Sequence, residues 1–177
     1  MYKKLLFQLI TLSNFFLNIY ILFILLSIGR LGIAGEGFVV ISLINVFTYG
    51  LSANMRNIYL GNKDSINIKN ILFLRIKTGL FALVFSSIIV FFLISKENVL
   101  FHVTLISLTT VNWIIEIFIA RNEKRNKLNI YHALNILFFI IIYPIFAFLN
   151  LDENLIFLIL LFILVNLIIF ATPIKNI

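Results

Sequence analysis

One acid stands alone in a long uncharged run. In VLFHVTLISLTTVNWIIEIFIA (Val99–Ala120) Glu116 is the single charge, and RNEKRNK follows at once with Arg121, Lys124, Arg125 and Lys127. A carboxylate within a membrane-length segment faces a protein interior or a watery cavity. It can bind a proton or a cation, gate a path, or pair with a nearby base. It can also snorkel to the interface, or pair there with Arg121 or a neighbouring cation. Other polar groups recur at helical spacing. His102, Thr109, Asn112, Trp113 and Glu116 share an arc of about 100°. In the second apolar run Ser42, Asn45, Tyr49, Ser52 and Arg56 fall within about 80°. In the first, Gln8, Thr11, Asn14 and Asn18 fall within about 120°. Such stripes serve either as hydrogen-bonding glue between helices or as the lining of a hydrated path through the first, second and fourth runs. The residues alone leave both open. Arg56, Arg75 and Lys77 lie near one end of their runs, where cations set topology or hold a phosphate-bearing headgroup. His102 and His132 lack a neighbouring second ligand and read as hydrogen-bonded interfacial residues. No span carries a convergent acid–base set, so enzymatic chemistry is the least favoured class. No cofactor is expected, since no phosphate-binding glycine loop, nucleophile elbow or metal-ligand cluster is present.

The elements that must position these groups follow from the apolar runs. The 177 residues are 62% hydrophobic and 12% charged, against about 25% charged in soluble domains. The fold class expected is an all-α, polytopic membrane protein. Six runs separate, at about 5–28, 38–60, 71–94, 99–120, 130–149 and 155–172, each near the ~20 residues that cross the hydrocarbon. They make one domain, a bundle of six transmembrane helices. MYKK and the first run form a retained span, since a signal peptide has an apolar region of only ~7–15 residues. GRLGIAGEG, Gly29–Gly37, reads as a short extracytoplasmic turn. Thr78, Ala82 and Ser86 at i, i+4, i+8 suit close helix contact. Pro144 can kink the fifth span, with neighbouring helices re-satisfying the freed carbonyl.

Charge sets the orientation. Lys3, Lys4, Arg56, Lys63, Lys69, Arg75, Lys77, Arg121, Lys124, Arg125, Lys127 and Lys175 fall on one side of a six-span arrangement, and Arg30 and Lys96 on the other. This places both termini in the cytoplasm, with Glu36, Glu97, Asp152 and Glu153 outside. The net charge of +7 is explained by topology, so nucleic acid is not an expected partner. The absence of cysteine excludes disulfides and thiol chemistry.

Two segments carry a resemblance. The first span, a turn of LG-x-x-G-x-G type (Leu31, Gly32, Gly35, Gly37) and a second span closing on YGLSANMRNIYL form one. WIIEIFIARNEKRN forms the other. Together they resemble the N-terminal part of Wzx-type polysaccharide flippases of the multidrug/oligosaccharidyl-lipid/polysaccharide exporter superfamily. Tyr49-Gly50-Leu51-Ser52, Arg56 and the Glu123–Lys127 loop contribute to it. The resemblance implies a plasma (inner) membrane flippase acting on undecaprenyl-pyrophosphate-linked oligosaccharide by alternating access. It also implies a cation-lined cavity, to which Arg56, Arg75 and Lys77 would contribute, with Glu116 as an ion-coupling group. The family has two six-helix halves and this chain has one. It is therefore expected to be a truncated half, or to pair with a second half or with its own copy. A copy would have parallel topology, related by an axis along the membrane normal. Two alternatives stand beside this reading: a non-transporting membrane subunit or inactive remnant, and a small transporter of another half-size, dimeric family.

Overall fold

The computed structural model describes residues 2–52, 59–61, 68–94, 96–125, 127–149 and 152–175. Side chains are described for 5–48, 59–61, 68–94, 96–125, 127–149 and 154–170. All regular structure among these residues is helical. The long helices are α1 (Tyr2–Ser27), α2 (Leu31–Ser52), α3 (Ile68–Leu93), α4 (Val99–Lys124), α5 (Ile130–Phe148) and α6 (Asp152–Lys175). The first five are long and apolar enough to cross a membrane, and the described apolar part of α6 is Asn154–Phe170. This is a multi-pass membrane protein by length and composition. Helices suit that setting because each satisfies its own backbone without water.

Two boundaries differ from the sequence reading. The turn after α1 is shorter than Gly29–Gly37. Arg30 N donates to Leu25 O at 2.9 Å, Gly29 N donates to Leu26 O at 3.1 Å, and Gly29 has φ +82°. This paired bonding ends α1, with glycine in the left-handed position. α2 then begins at Leu31, so Gly32, Gly35 and Gly37 are helical. Glycine marks turns in water, but membrane helices accommodate it. At the other boundary α4 continues through Arg121 and Lys124. The basic loop is thus largely the last turn of a helix, where cations favour the negative end of the dipole.

α4 is the centre of the molecule. It packs on α1, α2, α3 and α6, most extensively on α3. Its buried residues, from Phe101 to Arg121, lie on all sides of the helix. α3 buries one face only: Ile71, Leu72, Arg75, Gly79, Ala82, Ser86 and Val90. Its remaining surface, including Phe73, Phe81, Phe85 and Phe91, is exposed and apolar, as a lipid-facing surface is. Gly79 permits the close approach. A Cβ built there would lie 3.1 Å from Thr110 Cγ2 and 3.5 Å from Trp113 Cζ3. The small-residue seam expected from Thr78, Ala82 and Ser86 therefore runs through Gly79, Ala82 and Ser86, while Thr78 turns away and bonds Leu74 O. α5 packs on α6 and α1. Its Pro144 has no N–H to offer Ile140 O, four residues back. Tyr20 of α1 supplies that bond, its hydroxyl donating to Ile140 O at 2.7 Å.

Candidate functional site

Three polar clusters lie along α4. The first is nearest the end of the bundle where the chain begins. Arg75 is only 1% exposed, and its Nη1 donates to Trp113 O at 2.6 Å and to Glu116 Oε2 at 3.0 Å. Its guanidinium carbon lies 5.1 Å from the centre of the Trp113 ring. Glu116 is 20% exposed, so the pair has one covered member and one that reaches the rim. Arg75 and Glu116 meet because α3 and α4 run antiparallel and small residues bring their axes together. Arg75 Nε is buried with no hydrogen-bond partner. The fork thus keeps one donor without an acceptor among the described residues. A guanidinium carries its charge at every accessible pH and matches planar two-oxygen acceptors such as carboxylate or phosphate. Chemically, the arrangement can hold an anion by exchange for Glu116.

The second cluster is central. Asn18 Nδ2 donates to Thr109 Oγ1 at 2.9 Å, Asn14 Nδ2 to Asn112 O at 3.3 Å, and Asn112 Nδ2 to Asn14 O at 3.4 Å. All four residues are buried. The side-chain oxygens of Asn14, Asn18 and Asn112 have no partner, so this seam keeps unused acceptors while its donors clamp α1 to α4. The third cluster is at the other end. His102 Nε2 lies 3.0 Å from Glu36 Oε2, which also accepts from Asn98 Nδ2 at 2.9 Å.

The sequence-predicted residues distribute as follows. Arg75, Glu116 and Asn112 are brought onto the α4 axis. Lys77 is on the exposed side of α3, its ammonium 4.2 Å from the Phe73 ring centre. Asn45 is half-buried on α2. Arg56 lies outside the described residues, as do the side chains of Tyr49 and Ser52. The fourth run's polar face is inward: His102, Thr109, Asn112 and Trp113 are all buried. Of the first run's stripe, Asn14 and Asn18 face α4 but Gln8 is exposed. Of the second run's stripe, Ser42 is exposed and bonds its own helix at Phe38 O. Glu116 pairs with Arg75, from the neighbouring helix. Lys124 instead reaches Tyr59, donating to its carbonyl oxygen at 3.3 Å.

Glu36, Asn98, Tyr20, Gly79 and Asn166 were not singled out by sequence reasoning. Glu36 was assigned to the turn, and only its helical register within Leu31–Ser52 reveals that it faces His102. Asn166 Oδ1 accepts from His132 Nδ1 at 2.7 Å and joins α6 to α5. A cavity of about 150 Å³ lies between α5 and α6, lined by Asn135, Phe139, Tyr143, Leu158 and Phe162 among others. It is aromatic and sits away from the α1/α4 polar seam.

No protein-family model, curated protein or solved structure matches this chain.

Proposed function

We propose that this chain is the membrane-embedded half of a transporter: a six-span, half-size or truncated flippase for lipid-linked oligosaccharide, with both termini in the cytoplasm of a cell bounded by the inner membrane it occupies. The observation that carries the transport part is the Arg75–Glu116 pair, which joins α3 to α4, the most buried of the five long apolar helices. Ionised groups within a membrane span are costly, and the default reading of one is functional. The oligosaccharide part rests on the resemblance of Leu31–Leu60 and Trp113–Asn126 to flippase sequences, and on the cations Arg56, Arg75 and Lys77 near the cytoplasmic side.

In the mechanism proposed, helices rock as bundles around a midplane path. In the closed form Arg75 holds Glu116. In the substrate-loaded form its guanidinium exchanges the carboxylate for a phosphate oxygen of the lipid-linked substrate, and Arg75 Nε gains the acceptor it lacks. Glu116, at the rim, is hydrated as it is released. A second six-helix half, either a partner chain or a parallel copy, completes the cavity.

A second reading is a non-transporting membrane subunit with a structural role. It is favoured by the direct bonds from Asn14 and Asn18 to α4, which consume a polar face in packing. Complementation of a flippase-deficient strain separates the two. The parent chain, alone or with a partner half, is expected to restore surface glycan, and Arg75→Ala to abolish it at unchanged membrane abundance. No glycan under either arrangement removes the flippase reading. Restored glycan with Arg75→Ala unimpaired removes the site but keeps the class.

A further inference from the structure

We propose that the cavity between α5 and α6 holds one acyl chain of an anionic glycerophospholipid, whose phosphate sits at Lys127 and Tyr131 on the membrane face that carries the α4–α5 turn.

Three observations carry this. First, the cavity is apolar and its walls are set. It has a volume of about 150 Å³, and Phe138, Phe139, Ile142, Leu158 and Phe162 are among its lining residues. The Phe139 ring stacks on Tyr143 at 5.2 Å and meets Phe162 at 4.9 Å between centres. Asn135 Nδ2 donates to Phe162 O at 3.4 Å, which ties α5 to α6 at one end. An apolar cavity of about 150 Å³ stays dry and takes up a body the size of benzene. Second, the rim faces hydrocarbon. Phe138 and Leu161 line the cavity and are also exposed. Leu134, Leu137, Ile141, Phe157, Leu160 and Leu164 are exposed on the same two helices and are all apolar. The medium at the opening is therefore lipid chain rather than water. Third, the cavity face continues to a surface that suits a headgroup. Tyr131, Asn135, Phe138 and Ile142 stand at i, i+4, i+7 and i+11, one face of α5. Tyr131 is exposed in the first turn of α5, and such a ring sits at headgroup level. Arg125 and Lys127 are exposed just before that turn, while Lys124 is engaged with Tyr59 O.

Depth and charge select the occupant. At about 1.5 Å per residue the lining from Asn135 to Tyr143 runs from about 6 to about 18 Å beyond Tyr131. The chains of one leaflet fill about 15 Å, half of the hydrocarbon core. A lipid with its phosphate at Tyr131 thus has its chain at the cavity's depth. Each cation near the membrane surface favours an anionic headgroup about fivefold, so Lys127 and Arg125 prefer an anionic lipid to a zwitterionic one with the same chains. Basic sites between helices at this level hold anionic headgroups elsewhere. The inference is independent of transport, because its test reads where a lipid lies.

The test uses the full chain in phosphatidylcholine nanodiscs doped with phosphatidylglycerol that carries a diazirine near the middle of one acyl chain. After illumination and digestion, cross-links are expected to concentrate in residues 135–143 and 158–165, in excess over the exposed faces of α1 and α3. The same chain on phosphatidylcholine is expected to label those segments about fivefold less or lower. Lys127→Gln, at an exposed position on a turn, is expected to lower the phosphatidylglycerol signal there about fivefold and to leave the α3 signal unchanged. Val165 also lines the cavity. Val165→Phe places a ring in it and is expected to abolish the α5–α6 excess, with the α3 signal showing that the bundle has formed. Lys127→Gln keeps the test decisive if Val165→Phe fails to assemble. Labelling spread evenly over the exposed faces overturns the site. So does equal labelling by the two headgroups, or an excess that survives Val165→Phe. Displacement of the probe by unlabelled polyprenyl phosphate at a lower concentration than by unlabelled phosphatidylglycerol overturns the occupant. None of these outcomes depends on whether the chain restores surface glycan.

Discussion

Tyr20→Phe removes one hydroxyl, and its cost depends on a residue of another helix. Pro144 leaves Ile140 O without its intrahelical donor, and Tyr20 fills the gap at 2.7 Å. An ordinary interhelical hydrogen bond in a membrane protein contributes about 0.6 kcal/mol. Leaving a buried acceptor with no partner costs about 1–3 kcal/mol. Tyr20→Phe in the parent is therefore expected to destabilise by about 1–3 kcal/mol. In a Pro144→Ala background the alanine N–H reaches Ile140 O, and the same change costs only about 0.6 kcal/mol. The double-mutant cycle then yields a coupling of about 0.4–2.4 kcal/mol, a factor of roughly two to sixty in the equilibrium constant. Reversible unfolding in mixed micelles, followed by far-UV circular dichroism across an SDS titration, measures all four proteins. Equal costs in the two backgrounds would refute the reasoning. They would mean that water or another group satisfies Ile140 O, and that the α1–α5 contact is incidental to the proline.

Other outcomes follow from the same geometry. Glu116→Ala leaves Arg75 charged and almost wholly covered, and is expected to destabilise by about 3–5 kcal/mol. Arg75→Ala should cost less, because Glu116 at the rim can turn to water; micelle unfolding checks the order. Gly79→Val drives a branched side chain into Thr110, Ile114 and Trp113 and is expected to cost about 1–3 kcal/mol, read as lost α3–α4 cross-linking in a cysteine pair or as a lower unfolding midpoint. Single cysteines introduced at Lys96 and Arg125 test orientation. An impermeant maleimide added to whole cells is expected to label the first and spare the second, and the reverse pattern inverts the topology.

The helices were legible because a membrane span announces itself by apolar length. The polar face of α4 was legible too, since period 3.6 brings His102, Thr109, Asn112 and Trp113 to one side whatever surrounds them. What the same rule could not supply is the partner. Glu116 has Arg121 five residues away and Arg75 forty-one away in sequence, yet antiparallel packing through Gly79 delivers Arg75. The stripe on α2 misled for a related reason. A serine such as Ser42 can satisfy its hydroxyl on its own helix, as it does at Phe38 O, and then faces outward without penalty. Asn14 and Asn18 carry donors no helix backbone can absorb as easily, and they face α4. The glycines of Leu31–Gly37 misled because turn chemistry learned from soluble proteins was applied to a segment that helix formation claims from Leu31 onward. That error hid Glu36, which in a turn is a solvated acid and in a helix faces His102.

The central claim is that Arg75 and Glu116 are there for function rather than for packing. Replacing both with methionine, Arg75→Met with Glu116→Met, distinguishes the two roles, because well-packed apolar replacements of a buried ion pair are often neutral or stabilising. The measurement is surface glycan in a flippase-deficient strain carrying the doubly substituted chain, with its membrane abundance and unfolding midpoint taken alongside. The account predicts a stable, membrane-resident protein and no glycan. Glycan at the parent's level from that doubly substituted chain would contradict it.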